Sequence, residues 1–315
     1  MSRIPLLGRF AWHELMTSDP AAGMAFYKKL TGWKTEPYAD VPDYTMFVGP
    51  RGPVGGCMAL PEGSAEMGVP PNWLTYIGTP DCEATASKAR AMGGKVIRGP
   101  IKIPVGSFAI IADPMGAVFA IYTPNFMGDE GDPKAQLGEF SWHEHCTSDL
   151  DAAWAFYHEL FGWEKTGAVP IEGLGVYLMF GVQGMELGGM YQAPPGFPAP
   201  PHWLPYIRVP DAKKAAAQAP RLGAQVINGP MEVPGGDWIF VGADPQGAQF
   251  AVHSSAAAPT RAAKKPAKKP AKAKAAAKKT VKKPAKKAAA KKPVKKAAAK
   301  KAAPKKKVAK KKGRR

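Results

Sequence analysis

Cysteine is scarce. Cys57, Cys82 and Cys146 are the only three in 315 residues, and their unrelated spacings fit neither a disulfide framework nor a zinc motif. They suit a reducing compartment, as small buried or half-buried side chains. No apolar run approaches the ~18 residues of a membrane span, and the N-terminus, MSRIPLLGRFAWHE, lacks the ~7–15 residue apolar core of a signal peptide. These absences predict a soluble, cytoplasmic protein. A phosphate-binding G-x-x-x-x-G-K-[ST] loop, a G-x-G-x-x-G after a strand and a G-x-S-x-G elbow are all missing, which removes the familiar nucleotide-binding and serine-hydrolase signatures. The last 57 residues lack Asp, Glu and every aromatic.

That last absence divides the chain. Of the 44 Lys and Arg, 27 lie between Pro259 and Arg315, while all 25 Asp and Glu lie before them. The formal charge of +19 is therefore the sum of an acidic body, 1–258, of net −8 and a tail of net +27. The body has the aromatics, Gly-Pro punctuation and apolar runs of a globular protein. The tail has almost nothing to bury and repels itself, so residues 255–315 are expected to be disordered.

Within the body, one stretch is written twice. Residues 10–33, FAWHELMTSDPAAGMAFYKKLTGW, return 130 positions later as FSWHEHCTSDLDAAWAFYHELFGW. The echo continues in register through Trp73-Leu74 and Trp203-Leu204, Tyr76-Ile77 and Tyr206-Ile207, and Pro80-Asp81 and Pro210-Asp211. It closes on Asp113-Pro114 and Gly116-Ala117 against Asp244-Pro245 and Gly247-Ala248, one inserted residue having shifted the spacing to 131. A unit this long is a duplicated domain, not a solenoid repeat. The boundaries read as a first domain at 8–124, a linker at 125–136 and a second domain at 137–254.

Each half holds a pattern that itself occurs twice. A strand at 8–17 precedes a helix opened by Asp19, with Pro20 at its first turn, and ended by Gly32. Short strands near 33–37, 44–49 and 54–60 follow, separated by Gly and Pro turns. The order restarts with a strand at 72–79, a helix opened by Asp81 and ended by Gly93-Gly94, and strands near 95–98, 106–112 and 117–122. Strands dominate, so the class is α+β, each domain being a pair of βαβββ modules.

Thr-Ser-Asp opening the first helix of each half, Phe-Tyr-x-x-Leu-x-Gly-Trp closing it, and Asp-Pro-x-Gly-Ala in the last hairpin carry a resemblance. The chain resembles the vicinal oxygen chelate superfamily, which includes glyoxalase I, the bleomycin-resistance proteins and the extradiol dioxygenases. The resemblance implies two tandem domains whose modules curl into cup-like sheets around a small ligand, with the helices outside. It does not fix a reaction, because that cup serves lyases, dioxygenases, epimerases and binding proteins. In metal-using members a His or Gln stands about seven residues before the helix-opening Asp, and a Glu about seven after the Asp of the last hairpin. Those places here are Trp12, Leu74, Ala120 and, in the second half, Trp142, Leu204, Ala251. None of these side chains coordinates a divalent metal, so no metal site and no cofactor are expected, a divalent metal being the alternative.

Strand alternation then fills the cups. If position 12 faces inward, so do Glu14 and Met16, with His13 and Leu15 on the other side; Trp142, Glu144 and Cys146 face inward, with His143 and His145 opposite. Tyr76 shares a face with Leu74, Tyr206 with Leu204, Tyr122 with Ala120 and His253 with Ala251. The candidate ligand-binding set is Trp12, Glu14, Tyr76 and Tyr122 in the first domain, and Trp142, Glu144, Tyr206 and His253 in the second. A carboxylate repeated at the inward position of both strands is costly as filler. Glu144 and His253 form a candidate acid–base pair confined to the second domain. The three outward histidines read as packing or surface residues.

The tail resembles the C-terminal arm of a linker histone in its Lys-Ala-Pro composition. Paired lysines such as Lys264-Lys265, Lys268-Lys269, Lys282-Lys283 and Lys286-Lys287, and the run Lys305-Lys306-Lys307, offer point charges to phosphates. Without aromatics they offer no base stacking and no sequence preference. The expected partners are a small molecule in the cups and nucleic acid or polyphosphate on the tail, giving a cytoplasmic, nucleoid-associated protein with no membrane role. Three readings stay open: a metal-free small-molecule binder tethered to nucleic acid, a lyase or dioxygenase-type enzyme, and an architectural nucleic-acid-binding protein.

Overall fold

A computed structural model describes residues 7–125 and 134–255. The Lys-rich segment from residue 256 onward, with its expected disorder and all its candidate lysines, lies outside the described residues, as does most of the expected linker.

Four aspartates start four helices. Asp19, Asp81, Asp149 and Asp211 sit in extended backbone, and the Oδ1 of each accepts from the amide three residues on at 2.9–3.0 Å. This satisfies one of the otherwise unbonded N–H groups of the first turn. The helices are α1 (Pro20–Thr31), α2 (Cys82–Ala91), α3 (Leu150–Phe161) and α4 (Ala212–Gln218). Gly32 and Gly162 terminate α1 and α3 in left-handed backbone, at φ 80 and 68, where a side chain is disfavoured. In α4 the repeat is imperfect. Pro220 lacks an N–H to donate, and the chain tightens into a 3-10 turn at Ala219–Leu222.

In the first half the strands are β1 (Phe10–Thr17), β2 (Lys34–Pro37), β3 (Thr45–Gly49), β4 (Gly52–Ala59), β5 (Asn72–Gly78), β6 (Lys95–Ile103), β7 (Gly106–Ala112) and β8 (Val118–Pro124). They form one sheet in the order β2-β3-β4-β1-β5-β8-β7-β6. The second half repeats it with β9 (Phe140–Thr147), β10 (Glu164–Ile171), β11 (Gly175–Val182), β12 (Met185–Gln192), β13 (His202–Arg208), β14 (Gln225–Glu232), β15 (Trp238–Ala243) and β16 (Gln249–Ser254), in the order β10-β11-β12-β9-β13-β16-β15-β14. In each sheet the two modules meet at an antiparallel seam, β1 with β5 and β9 with β13. The α+β reading and its paired βαβββ modules are therefore the fold. Among the described residues no helix is long and apolar enough to cross a membrane.

The helices lie outside each cup but inside the molecule. One buried cluster joins α1, Leu15, Trp33, Phe47 and Trp73 of the first half to Ile207, α4, Phe240, Phe250 and Val252 of the second. A second cluster joins the second module of the first half to the first module of the second. The two sheets thus turn their cups outward and pack the opposite faces together, within one compact unit, Met1–Thr260.

The doubled motif makes this joint. The indole N–H of Trp73 donates to the Tyr27 hydroxyl at 2.8 Å, which donates across the interface to Asp244 Oδ2 at 3.2 Å. Trp203, Tyr157 and Asp113 repeat the relay at 2.9 and 3.0 Å. The other oxygen of each aspartate accepts from two amides of its own Asp-Pro-x-Gly-Ala turn. Trp33 Nε1 donates to Gly138 O at 2.6 Å, and Trp163 Nε1 to Gly8 O at 2.7 Å. The residues that carry the family resemblance therefore bind one domain to the other.

The histidines read as packing or surface residues are all interior. His13 and His143 approach Nε2 to Nε2 at 2.8 Å between the sheets, His143 stacked on Phe10 and His13 on Phe140. Leu187 O accepts from His143 Nδ1–H at 3.2 Å, so neutral His143 presents a bare Nε2 and His13 is the donor. His145 Nε2 lies 3.2 Å from Asp113 Oδ2, both fully buried. Burial holds His13 well below its ordinary pKa and lowers His143 to about 3. A group whose folded pKa is depressed binds fewer protons than the unfolded chain, so it favours folding above about pH 6.5 and loses that contribution as pH falls toward its folded pKa. Imidazole NMR should show His143 neutral at about pH 4.5 and His13 with a titration displaced well below that of a free imidazole, and their share of the unfolding free energy should decline from about pH 6.5 downward. Titration of either ring near 6.5 in the folded protein would contradict this packing.

Candidate functional site

Cross-strand pairing sets the floor of each cup. Glu14 pairs with Leu74 on one side and Gly56 on the other, while Trp12 pairs with Tyr76, and Tyr76 with Ala120. Glu144 stands likewise between Leu204 and Gly189, and Trp142 pairs with Tyr206, which pairs with Ala251. Directly paired residues share a face. Apolar walls complete each cup: Met16, Phe108 and Ile110 in the first, Ile239 and Val241 in the second.

The two glutamates carry matching networks. In the first cup Trp12 Nε1 donates to the Tyr44 hydroxyl at 2.8 Å, Tyr44 bonds Glu14, and the Tyr76 hydroxyl donates to Glu14 Oε1 at 3.2 Å. In the second, Trp142 Nε1 donates to Tyr177 at 2.8 Å, Tyr177 donates to Glu144 Oε2 at 3.0 Å, and Tyr206 also bonds Glu144. Burial raises both carboxyl groups above the ordinary range, while the phenolic donors act in the opposite direction. Burial also raises Tyr44, Tyr76, Tyr177 and Tyr206, so these hydroxyls keep their protons and serve as donors. A carboxylate has about four acceptor sites. Two tyrosines leave each glutamate capacity toward the cup.

Trp12, Glu14 and Tyr76, and Trp142, Glu144 and Tyr206, are thus brought together as sets. Tyr122 lies on the wall of the first cup, but its hydroxyl donates to Val105 O at 2.8 Å, away from Glu14. Of the candidate acid–base pair, Glu144 is bonded by tyrosines, and His253 has partners of its own. His253 Nε2 donates to Asp237 Oδ2 at 2.7 Å, and its Nδ1 lies within hydrogen-bond distance of Ser141 Oγ at 2.9 Å. Ser141 reaches it because the pairing jumps from Trp142–Tyr206 to Phe140–Ile207, making Ser141 an extra, bulged residue. Cys146 is buried, and Tyr191 is its hydrogen-bond partner.

Tyr44 and Tyr177 escaped the sequence reading because they stand 133 residues apart, outside the 130–131 register of the repeat. A signal was nevertheless present in the Gly-Gly pairs of β4 and β12. A Cβ on Gly56 would lie 1.9 Å from the Tyr44 hydroxyl, and one on Gly189 would lie 2.2 Å from the Tyr177 ring. Each second glycine makes the room in which a tyrosine reaches its glutamate.

The family profile described as Glyoxalase/Bleomycin resistance protein/Dioxygenase superfamily matches residues 8–121 and again 141–252. The chain belongs to that superfamily. The "Putative glyoxylase CFP32" of Mycobacterium bovis is 33% identical over 250 residues, covering 76% of this chain and 92% of its own. The anthracycline biosynthesis protein DnrV of Streptomyces peucetius is 28% identical over 265 residues, covering 78% and 92%. Among solved structures, homoprotocatechuate 2,3-dioxygenase from Arthrobacter globiformis superposes with a TM-score of 0.58 at 12% identity, over 80% of each chain. The 2,3-dioxygenase LapB from Pseudomonas gives 0.57 at 12%, over 80% of this chain and 94% of its own. At such identities the likeness is one of fold.

Proteins of the superfamily bind small-molecule substrates, and its dioxygenases depend on metal. The residues here do not fit that metal. The matching strand positions hold indoles, isobutyl groups and methyl groups, none of which coordinates a divalent metal, and each glutamate carboxyl accepts from two tyrosines. Among the described residues no three His, Cys, Asp or Glu gather as a ligand set.

Proposed function

We propose that each cup binds a small, flat, largely apolar organic molecule without a divalent metal, and that the tail binds nucleic acid through its phosphates. The observation that carries the first part is the duplicated Trp–Tyr–Glu–Tyr network: aromatic faces for the body of a ligand, and an acceptor-rich carboxyl on the floor for its hydroxyl or amino group. An interior carboxyl kept in two copies at a desolvation cost has a use that packing alone does not supply. The anthracycline-pathway relative is in keeping with a flat ligand.

An unbiased metabolite screen read by thermal shift tests this, because ligand bound only to the folded state raises its apparent stability. Glu14→Gln keeps the size of the side chain but turns one acceptor into a donor, and should weaken binding in the first cup about tenfold, with Glu144→Gln acting alike in the second. Protein purified without added metal should contain no stoichiometric divalent ion by elemental analysis. One equivalent per domain, lost on changing Glu14 or Glu144, would establish a relocated ligand set and sink the metal-free reading.

A second reading, an acid–base enzyme in the second cup, is favoured by the chain Ser141–His253–Asp237. The first domain has Ala11, Tyr122 and Gly106 at the matching positions. Turnover of the ligand found in the screen, lost in His253→Gln while binding persists, would select that reading.

A further inference from the structure

The two cups differ in charge, and one of the differences stands in a single row of the sheet. Successive cross-strand pairs run from the edge strand inward as Arg98–Ile110, Ile110–Ala120, Ala120–Tyr76 and Tyr76–Trp12. The pairing places Arg98 on the cup face with Trp12 and Tyr76. The same row in the second sheet reads Asn228, Val241, Ala251, Tyr206, Trp142, so Asn228 holds the place of Arg98.

Arg98 acts on Glu14 and Tyr76 as a charge at a distance, with no hydrogen bond to either. The groups that act on Glu144 are Tyr177 and Tyr206, with no cation among them. In the second cup His253 Nε2 is held by Asp237 Oδ2 at 2.7 Å, and Arg208, which pairs with His253, gives its guanidinium to Ala135 O and Ser255 Oγ. The first cup therefore has an acceptor on its floor and a guanidinium on its edge strand, in the row of Trp12 and Tyr76, with Phe108 on the same wall.

We infer that the first cup takes a two-ended ligand, a flat apolar molecule with a hydroxyl at one end for Glu14 and a carboxylate at the other for Arg98, while the second cup takes an uncharged counterpart. The guanidinium presents a planar fork of donors that matches a carboxylate, and Arg98 is exposed and so accessible to an arriving anion. Asn228 offers an amide in its place, which binds neutral oxygen without favouring charge. This rests on the proposal that the cups bind small molecules.

The test uses the full chain at physiological salt and two probes of one shape, 6-hydroxy-2-naphthoate and 2-naphthol, titrated by calorimetry. The naphthoate should bind one site at least about tenfold more tightly than the naphthol does, the magnitude of a hydrogen bond to a charged group. Arg98→Gln should bring that ratio close to one, and Asn228→Arg should create a second tight naphthoate site. Equal affinities in the unaltered protein, or a preference that survives Arg98→Gln, would overturn the inference while leaving the cups as binding sites. If neither probe binds and the metabolite screen also finds no ligand, the cup reading falls along with it.

Discussion

Replacing Gly188 by alanine should destabilise the folded body by about 3 kcal/mol or more, the upper part of the range for forcing atoms into packed space. A Cβ there would lie 1.9 Å from His143 O, 2.9 Å from the His143 carbonyl carbon and 2.8 Å from the Phe180 ring. The first two are backbone atoms of β9, the strand that β12 pairs with at Gly188–His143, so relief requires the strands to separate. That separation would strain the His13–His143 contact and the interface behind it. Gly189→Ala should behave differently. Its Cβ meets the Tyr177 ring, which can rotate away, so the folding loss should be smaller while Glu144 loses a donor and the second cup its shape. Urea unfolding measures the first effect as a lower midpoint at unchanged slope, and ligand titration measures the second. If Gly188→Ala unfolds within 1 kcal/mol of the parent, the close approach of β12 to β9 is not a constraint of the fold.

The fold was legible because its signals are local and were written twice. An aspartate before each helix, a glycine after α1 and α3, and period-two alternation in β1 and β9 each have a short-range physical cause, and two copies in register removed most of the ambiguity. Once the family resemblance set positions 12 and 142 inward, the glutamates followed from alternation. What alternation could not give was the partner on the other strand or in the other domain. Tyr44 immediately precedes β3 and Tyr177 is the third residue of β11, and the connections before them differ in length between the halves. His13 and His143 were placed on the face away from the cup, but their meeting depends on how two domains dock, for which a single strand carries no information. The Phe-Tyr, Gly-Trp and Asp-Pro motifs were read as a family mark, and their physical use, a hydrogen-bonded relay across the interface, needed the assembled body. His253 bonds Asp237 and Ser141, and Ser141 is the extra residue of a bulge, an irregularity that strand alternation does not signal.

Removing the tail should abolish binding to DNA. Full-length protein should bind duplex DNA of any sequence, with an affinity that falls about a thousandfold or more between ~50 and ~200 mM salt if six to ten phosphates are engaged, because each phosphate neutralised releases condensed counterions. The tail carries 27 positive charges without aromatics, whereas residues 1–258 carry a net −8 and should be repelled by phosphate. Duplex DNA presents one charge per ~1.7 Å, so the tail could match on the order of 45 Å of helix. Unrelated duplexes should compete almost equally, since lysines on phosphates read no base edge, and heparin or polyphosphate should displace them all. The truncated body should keep any ligand-binding properties of the full chain, because the residues that form both cups lie between Trp12 and His253. Gel shift and fluorescence anisotropy over a salt series decide the matter. A truncated body that binds DNA as tightly as the full chain, or binding that ignores salt, would put the nucleic-acid site in the folded body and end the tether reading.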